Sequence, residues 1–204
     1  YPATYGESFR AKTLPEWKMI PNLTIAYKMT GEAKYKDRLW QAINTVINFP
    51  DWHSGSFLDV GDNTQIIAYA YDWMYDDWSE EQKTIMRNSF VKKGFEPSMY
   101  MLRSSTGFAS VGHNWNQVIS SGLGLAALAM VGEEGYNDIC NEIINRTIGA
   151  LAYGCASFAP DGGSVEDAQK VTAYLYGTGT KLPENVTKKG YSFAGWYLNE
   201  KCTG

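Results

Sequence analysis

The stretch Gly112–Met130, GHNWNQVISSGLGLAALAM, sets a polar and aromatic cluster directly ahead of a run of small apolar residues. His113 can carry a proton near neutral pH. Asn114 and Asn116 offer amide donors that can hold an anionic oxygen without adding a charge that must be desolvated. Trp115 can stack on a flat or sugar-like ring, and Gln117 adds a further amide. The only other histidine is His53, in PDWHSGSFLD, next to Trp52 and six residues before Asp59. Asp59, Asp62 and Glu166 are the candidate acids. The same residue types have a simpler use. His113, Asn114 and Asn116 could cap a helix and satisfy its free N–H groups, Trp52 could fill a core, and Asp59, Asp62 and Glu166 could be caps or loop residues. The residue pattern leaves both readings open.

These residues need helices to position them. In TLPEW, Thr13, Pro15 and Glu16 read as a helix start, with Thr13 as the cap. The following helix runs towards Thr30. Helical periodicity predicts a second helix in GEAKYKDRLWQAINTVINF, a third in DNTQIIAYAYDWMYDDW and a fourth in SEEQKTIMRNSFVKKGF. The fourth opens on a second capping box, Ser79 with Gln82. A fifth runs from about Asn116 to Met130 and a sixth from about Tyr136 to Tyr153. MTGEAKYKD from Met29 and MVGEEGYND from Met130 share Met, Gly, Glu, Tyr and Asp at identical offsets. Each ends one helix, turns at glycine and starts the next, which predicts a repeated antiparallel hairpin. Beyond APDGG the text changes. VTAYLYGTGT and KKGYSFAGWYL alternate aromatic and β-branched residues between glycines, as short strands do.

The chain has 204 residues and a formal charge of −4, which argues against a nucleic-acid binder. No apolar run approaches the length of a membrane span. Cys140, Cys155 and Cys202 form no paired or metal-ligand spacing, so no metal and no cofactor are expected. Fourteen tyrosines and seven tryptophans suit glycan handling. An opening Tyr1 predicts a fragment or a trimmed product.

From about Pro15 to Glu166 the chain resembles the heparinase II/III-like polysaccharide lyases, on YAYDWMYDDWSEEQK, HNWNQVISSGLGLAALAM and SFAPDGGSVED. The resemblance implies a mainly α fold, an incomplete α/α toroid of antiparallel helical hairpins. It also implies β-elimination on uronic-acid-containing polysaccharide, with Asn114 and His113 as catalytic residues and Trp115, Asn116, Gln117, Trp52 and His53 contacting substrate. Where relatives follow the PDGG turn with a segment that supplies a catalytic tyrosine, this chain reads SVEDAQKVTAYLYG. Tyr174 and Tyr176 do not inherit that role. The tail, YGTGTKLPENVTKKGYSFAGWYLNEKCTG, is similar to the internalin-type B (Listeria–Bacteroides) repeats of bacterial surface proteins.

Together the two resemblances divide the chain into a partial toroid over 1–167 and a partial β-grasp-like repeat over 168–204. They imply a secreted or cell-surface bacterial protein, with acidic polysaccharide as partner and an association with the cell wall. Two other readings stand beside the lyase: a non-catalytic glycan-binding or adhesion module, and a toroid glycoside hydrolase using two carboxylates. In an antiparallel hairpin array the third and fifth helices start at the same end, so the loops that enter them predict one rim shared by His53 and His113.

Overall fold

The computed structural model describes residues 8–158, together with 164–165, 186–187, 189 and 192. The PDGG turn, Glu166, Tyr174, Tyr176, Cys202 and the strands expected from Val171 onward lie outside the described residues. The chain is mainly helical, as its periodicity predicts. Helix α1 spans Ser8–Thr30, α2 Ala33–Ile47, α3 Leu58–Trp73, α4 Glu80–Ser89, α5 Glu96–Ser104, α6 Asn114–Ala129 and α7 Asn137–Phe158. Strand β1, Ser164–Val165, pairs antiparallel with β2, Val186–Thr187.

Three boundaries differ from expectation, each for a local reason. Helix α1 begins at Ser8, ahead of the expected Thr13 cap, so Pro15 and Pro21 both stand within it. Each proline removes one ladder donor, a cost that helix interiors bear only with tertiary support. Helix α3 starts at Leu58 because Phe57 takes a left-handed conformation, φ +60°, and launches the helix four residues before Asp62. The fourth expected helix runs past Phe95. It widens into a π-turn over Phe90–Phe95, just before Pro97 interrupts the regular ladder, and resumes as α5.

Ser79 caps α4 as its sequence predicts. Its hydroxyl accepts from the Gln82 amide at 3.2 Å, and the Gln82 side chain accepts from the Ser79 N–H at 3.0 Å. Ser79→Ala is expected to cost about 1 kcal/mol, measured as a shift in the denaturant midpoint at unchanged slope.

The helices form three antiparallel hairpins side by side: α1 with α2, α3 with α4–α5, and α6 with α7. Their directions follow from the contacts. Trp17 bonds Asn63 and Tyr27 bonds Asp77, so α1 and α3 run parallel. Gly61 faces Ile119, and Tyr71 bonds Glu133 beyond the end of α6, so α3 and α6 run parallel too. Tyr71 packs on Phe90, while Thr64 lies beside Gly94 and Phe57 beside Phe108, so α4–α5 returns along α3. Gly124 faces Thr147 and Asn116 bonds Ala150, so α7 returns along α6.

The small residues of α6 set how closely it packs. A Cβ on Gly122 would lie 2.2 Å from the Gly61 carbonyl oxygen, and one on Gly61 would lie 2.7 Å from the Ile119 Cα. The two helices therefore touch backbone to backbone. On another face a Cβ on Gly124 would lie 3.0 Å from the Thr147 hydroxyl, and Ala126 and Ala127 are fully buried. The core between the hairpins holds Ile20, Leu39, Ile43, Trp52, Tyr71, Phe90, Phe95, Ile119 and Leu123.

The repeated turn is repeated as backbone chemistry. Gly31 and Gly132 both have positive φ, at 69° and 95°, and the Tyr35 and Tyr136 N–H groups donate to the carbonyls of Glu32 and Glu133, each three residues earlier. The likeness stops at packing. Met29 is 80% exposed, whereas Met130 is fully buried.

Candidate functional site

Because α3 and α6 run parallel, the loops that enter them lie at the same end. The loop before α3 is held by Lys93, whose ammonium group donates to the Ile47 and Phe49 carbonyls; burial lowers its pKa. Within this loop His53 has φ +60°, and its N–H donates to Asp51 Oδ1 at 2.6 Å. A non-glycine residue in this conformation stores backbone strain of the kind that gathers at ligand sites. His53 Nδ1 lies 2.7 Å from Asp59 Oδ2, in the first turn of α3. Asp59 is 2% exposed and the His53 side chain 27%. A buried carboxylate beside Nδ1 fixes the proton there and makes Nε2 the basic nitrogen. The chain thus joins His53 and Asp59, which the sequence offers as neighbours in one candidate loop, into an Asp–His dyad.

At the start of α6, His113 is the N-cap. Its Nδ1 accepts from the Trp115 N–H over a long 3.4 Å, and the two rings meet edge to face at 6.1 Å. His113 and Asn114 are exposed, and Trp115 is 41% exposed. Gln117 is half-buried. The Asn114 side chain makes no hydrogen bond within the described residues. Asn114 occupies the first helical position, and the capping is done by its neighbour.

Two expected substrate contacts are corrected by burial. Trp52 is fully enclosed, and its indole N–H donates to the Val46 carbonyl at 3.0 Å. It is a core residue that closes α2 and presents no face to a ligand. Asn116 is also fully buried. Its amide donates to the Ala150 carbonyl at 2.8 Å and to the Val111 carbonyl at 3.2 Å, and its oxygen accepts from the Ser120 hydroxyl at 3.1 Å. It ties α6 to α7, and Gly154 leaves room for it.

Beside the α6 N-terminus opens a groove of about 540 Å³, bounded by Leu102, Ser105 and Ser110 on one side and by Asn145, Arg146 and Tyr153 of α7 on the other. None of its lining residues stood out as a candidate in the sequence. The available signal was the spacing of Glu142, Asn145, Arg146, Gly149 and Tyr153, which places them on one helical face. At the groove's edge Glu142 accepts from Arg103 Nε and Nη2 at 2.8 and 2.7 Å, and from Arg146 Nε at 2.8 Å. These two guanidinium groups hold the Glu142 carboxyl down to about 2, from an ordinary 4.5. A depressed carboxylate stabilises the fold above pH 4.5 and loses that contribution as pH falls towards 2. The stability advantage of the native chain over Glu142→Gln is therefore expected to be constant near neutrality and to vanish between about pH 4.5 and 2 in acid melts.

The opposite end carries a second polar cluster, which has a fold-holding role. The Tyr71 hydroxyl donates to Glu133 Oε1 at 2.5 Å, and Arg87 pairs with both Glu133 and Glu80. Burial and the bond to Glu133 raise the Tyr71 pKa. The cluster joins the ends of α3 and α6 to α4. Cys140 is free and buried, and burial pushes its thiol up to about 11, far from a reactive range. Among the described residues no group of His, Cys, Asp and Glu could hold a metal ion, and no helix is long and apolar enough to cross a membrane.

No curated protein matches the chain. The matched family span, residues 156–204, opens in the last turn of α7, ahead of the division expected at 167/168. Residues 156–204 match the Listeria–Bacteroides repeat domain, a repeat of bacterial surface proteins.

Proposed function

We propose that the helical array is an arc of an α/α toroid in a bacterial surface protein, and that its rim acts on uronic-acid-containing polysaccharide by β-elimination. The observation that carries this reading is the grouping at one helical end. Asn114 and His113 face solvent, Asn114 makes no hydrogen bond with its side chain among the described residues, and the strained His53–Asp59 dyad lies at the same end.

In this reading the Asn114 amide donates to the substrate carboxylate, which lets the adjacent carbon give up its proton as charge moves onto the carboxylate. His53 Nε2 takes that proton, and Asp59 stabilises the imidazolium that forms. The electron pair left on carbon becomes the new C=C bond, the bond to the 4-linked oxygen breaks, and His113 returns a proton to that oxygen. Trp115 packs on a neighbouring sugar ring, and Gln117 flanks it. The test is the mass of the new chain ends. Elimination gives ends one water lighter than hydrolysis does, so hydrated ends throughout would overturn the reading.

The exposed aromatic surface favours a second reading, a glycan-binding or adhesion module. Beyond Trp115, Tyr69 and Trp73 stack on α3 with centroids 5.5 Å apart and planes 30° from parallel. Retention on a glycan without any new chain ends would support it. A hydrolase needs two carboxylates across one cleft, and Asp59 is already committed to His53.

A further inference from the structure

We propose that the groove between α5 and α7 is a subsite for an acidic sugar residue, with Arg146 as the anchor for its carboxylate. The proposal rests on the reading of the rim as a site for acidic polysaccharide and extends it to residues that no resemblance supplies. The groove lies near that rim. Ser110 on its wall leads directly to His113, and Ala150 on its floor supplies the carbonyl that Asn116 clamps. A chain bound at Asn114 would run on into it.

Its two walls differ in a way that suits a sugar ring. Leu102 gives one side an apolar contribution, while Asn145 and Arg146 on the α7 side give hydrogen-bonding groups. Gly149 leaves the floor without a side chain. The volume of about 540 Å³ falls within the range of small-ligand sites. Charge favours an anion. Arg103 and Arg146 share the single carboxylate of Glu142, so the cluster keeps one net positive charge at the groove. Arg103 is turned to Glu142 through both Nε and Nη2, but Arg146 uses only Nε. The Nη groups of Arg146 have no partner among the described residues, and neither do the side chains of Ser105 and Asn145. A guanidinium already oriented through Nε and with its outer donors unused is suited to a carboxylate.

Isothermal titration of the full chain with trigalacturonate, its fully methyl-esterified form and a hyaluronan hexasaccharide tests this. At least one of the two acidic probes is expected to bind, and the ester roughly tenfold or more weakly than the acid, because it keeps the shape and loses the charge. Arg146→Gln should weaken the acid by about the same factor and leave the ester unchanged. Gly149→Leu, which fills the groove without touching the charge cluster, should abolish binding of both, with thermal melts confirming that each variant folds. Equal affinity for acid and ester, an unchanged affinity in both variants, or no binding of either acidic probe would overturn the subsite. Asn114→Ala separates the two readings, since it should retain trimer binding in the groove while losing elimination. Elimination without groove binding rejects the subsite alone, and groove binding without elimination rejects the lyase reading alone.

Discussion

Gly122→Ala should lower the melting temperature by roughly 6–12 °C, the consequence of about 3 kcal/mol of lost stability in a domain of this size. The added methyl would sit 2.2 Å from the Gly61 carbonyl oxygen and 3.1 Å from the Gly61 Cα. Most overpacked sites relax by moving a side chain, but here the obstacle is backbone on a facing helix. Relief requires α3 and α6 to separate along the contact that aligns their N-termini. Gly132→Ala is the matched control. Nothing lies within 4 Å of its added methyl, so only its left-handed backbone, φ +95°, is penalised, at about 1–2 kcal/mol. If the two variants melt together, the close crossing is not what holds the array.

Asn114→Ala should lower turnover on a uronate polysaccharide by roughly a hundredfold or more, the scale seen when a charge-stabilising donor is removed, with little change in melting temperature. Asn116→Ala should do the reverse. It removes a buried amide that bonds Ala150, Val111 and Ser120, at about 2 kcal/mol, and leaves turnover per folded molecule unchanged. The contrast separates a ligand contact from a structural one within a single short motif. If Asn114→Ala instead destabilises the fold and leaves activity intact, Asn114 serves only the helix.

That contrast also shows where sequence reasoning stopped. The Ser79–Gln82 capping box, the glycine turns at Gly31 and Gly132 and the helical content are local, fixed by residues a few positions apart, and they were legible. The split between Asn114 and Asn116 was not. Both are asparagines at the start of one helix, and what buries Asn116 is a carbonyl on α7, 34 residues away. Trp52 looked like a loop aromatic because its partner, the Val46 carbonyl, becomes available only when α2 ends and the chain folds back over it. The dyad was half legible. His53 and Asp59 were both singled out, but their contact depends on two left-handed residues, His53 and Phe57, that no propensity predicts. The groove was missed because its walls come from opposite sides of α6 in sequence and meet only when α7 returns along it.

The repeat-matched tail and the helical array carry different parts of the account. The tail, residues 156–204, ties the chain to bacterial surface proteins. The proposed chemistry belongs to the helical end that carries His53, Asp59, His113 and Asn114. The most direct test is a continuous ultraviolet assay of the full chain on polygalacturonate, alginate, heparan sulfate, chondroitin sulfate and hyaluronan, because elimination creates a conjugated double bond and hydrolysis does not. The account predicts a steady rise in absorbance on at least one of these polymers, lost in Asn114→Ala and retained in Asn116→Ala. A flat trace on all five with folded protein would contradict it.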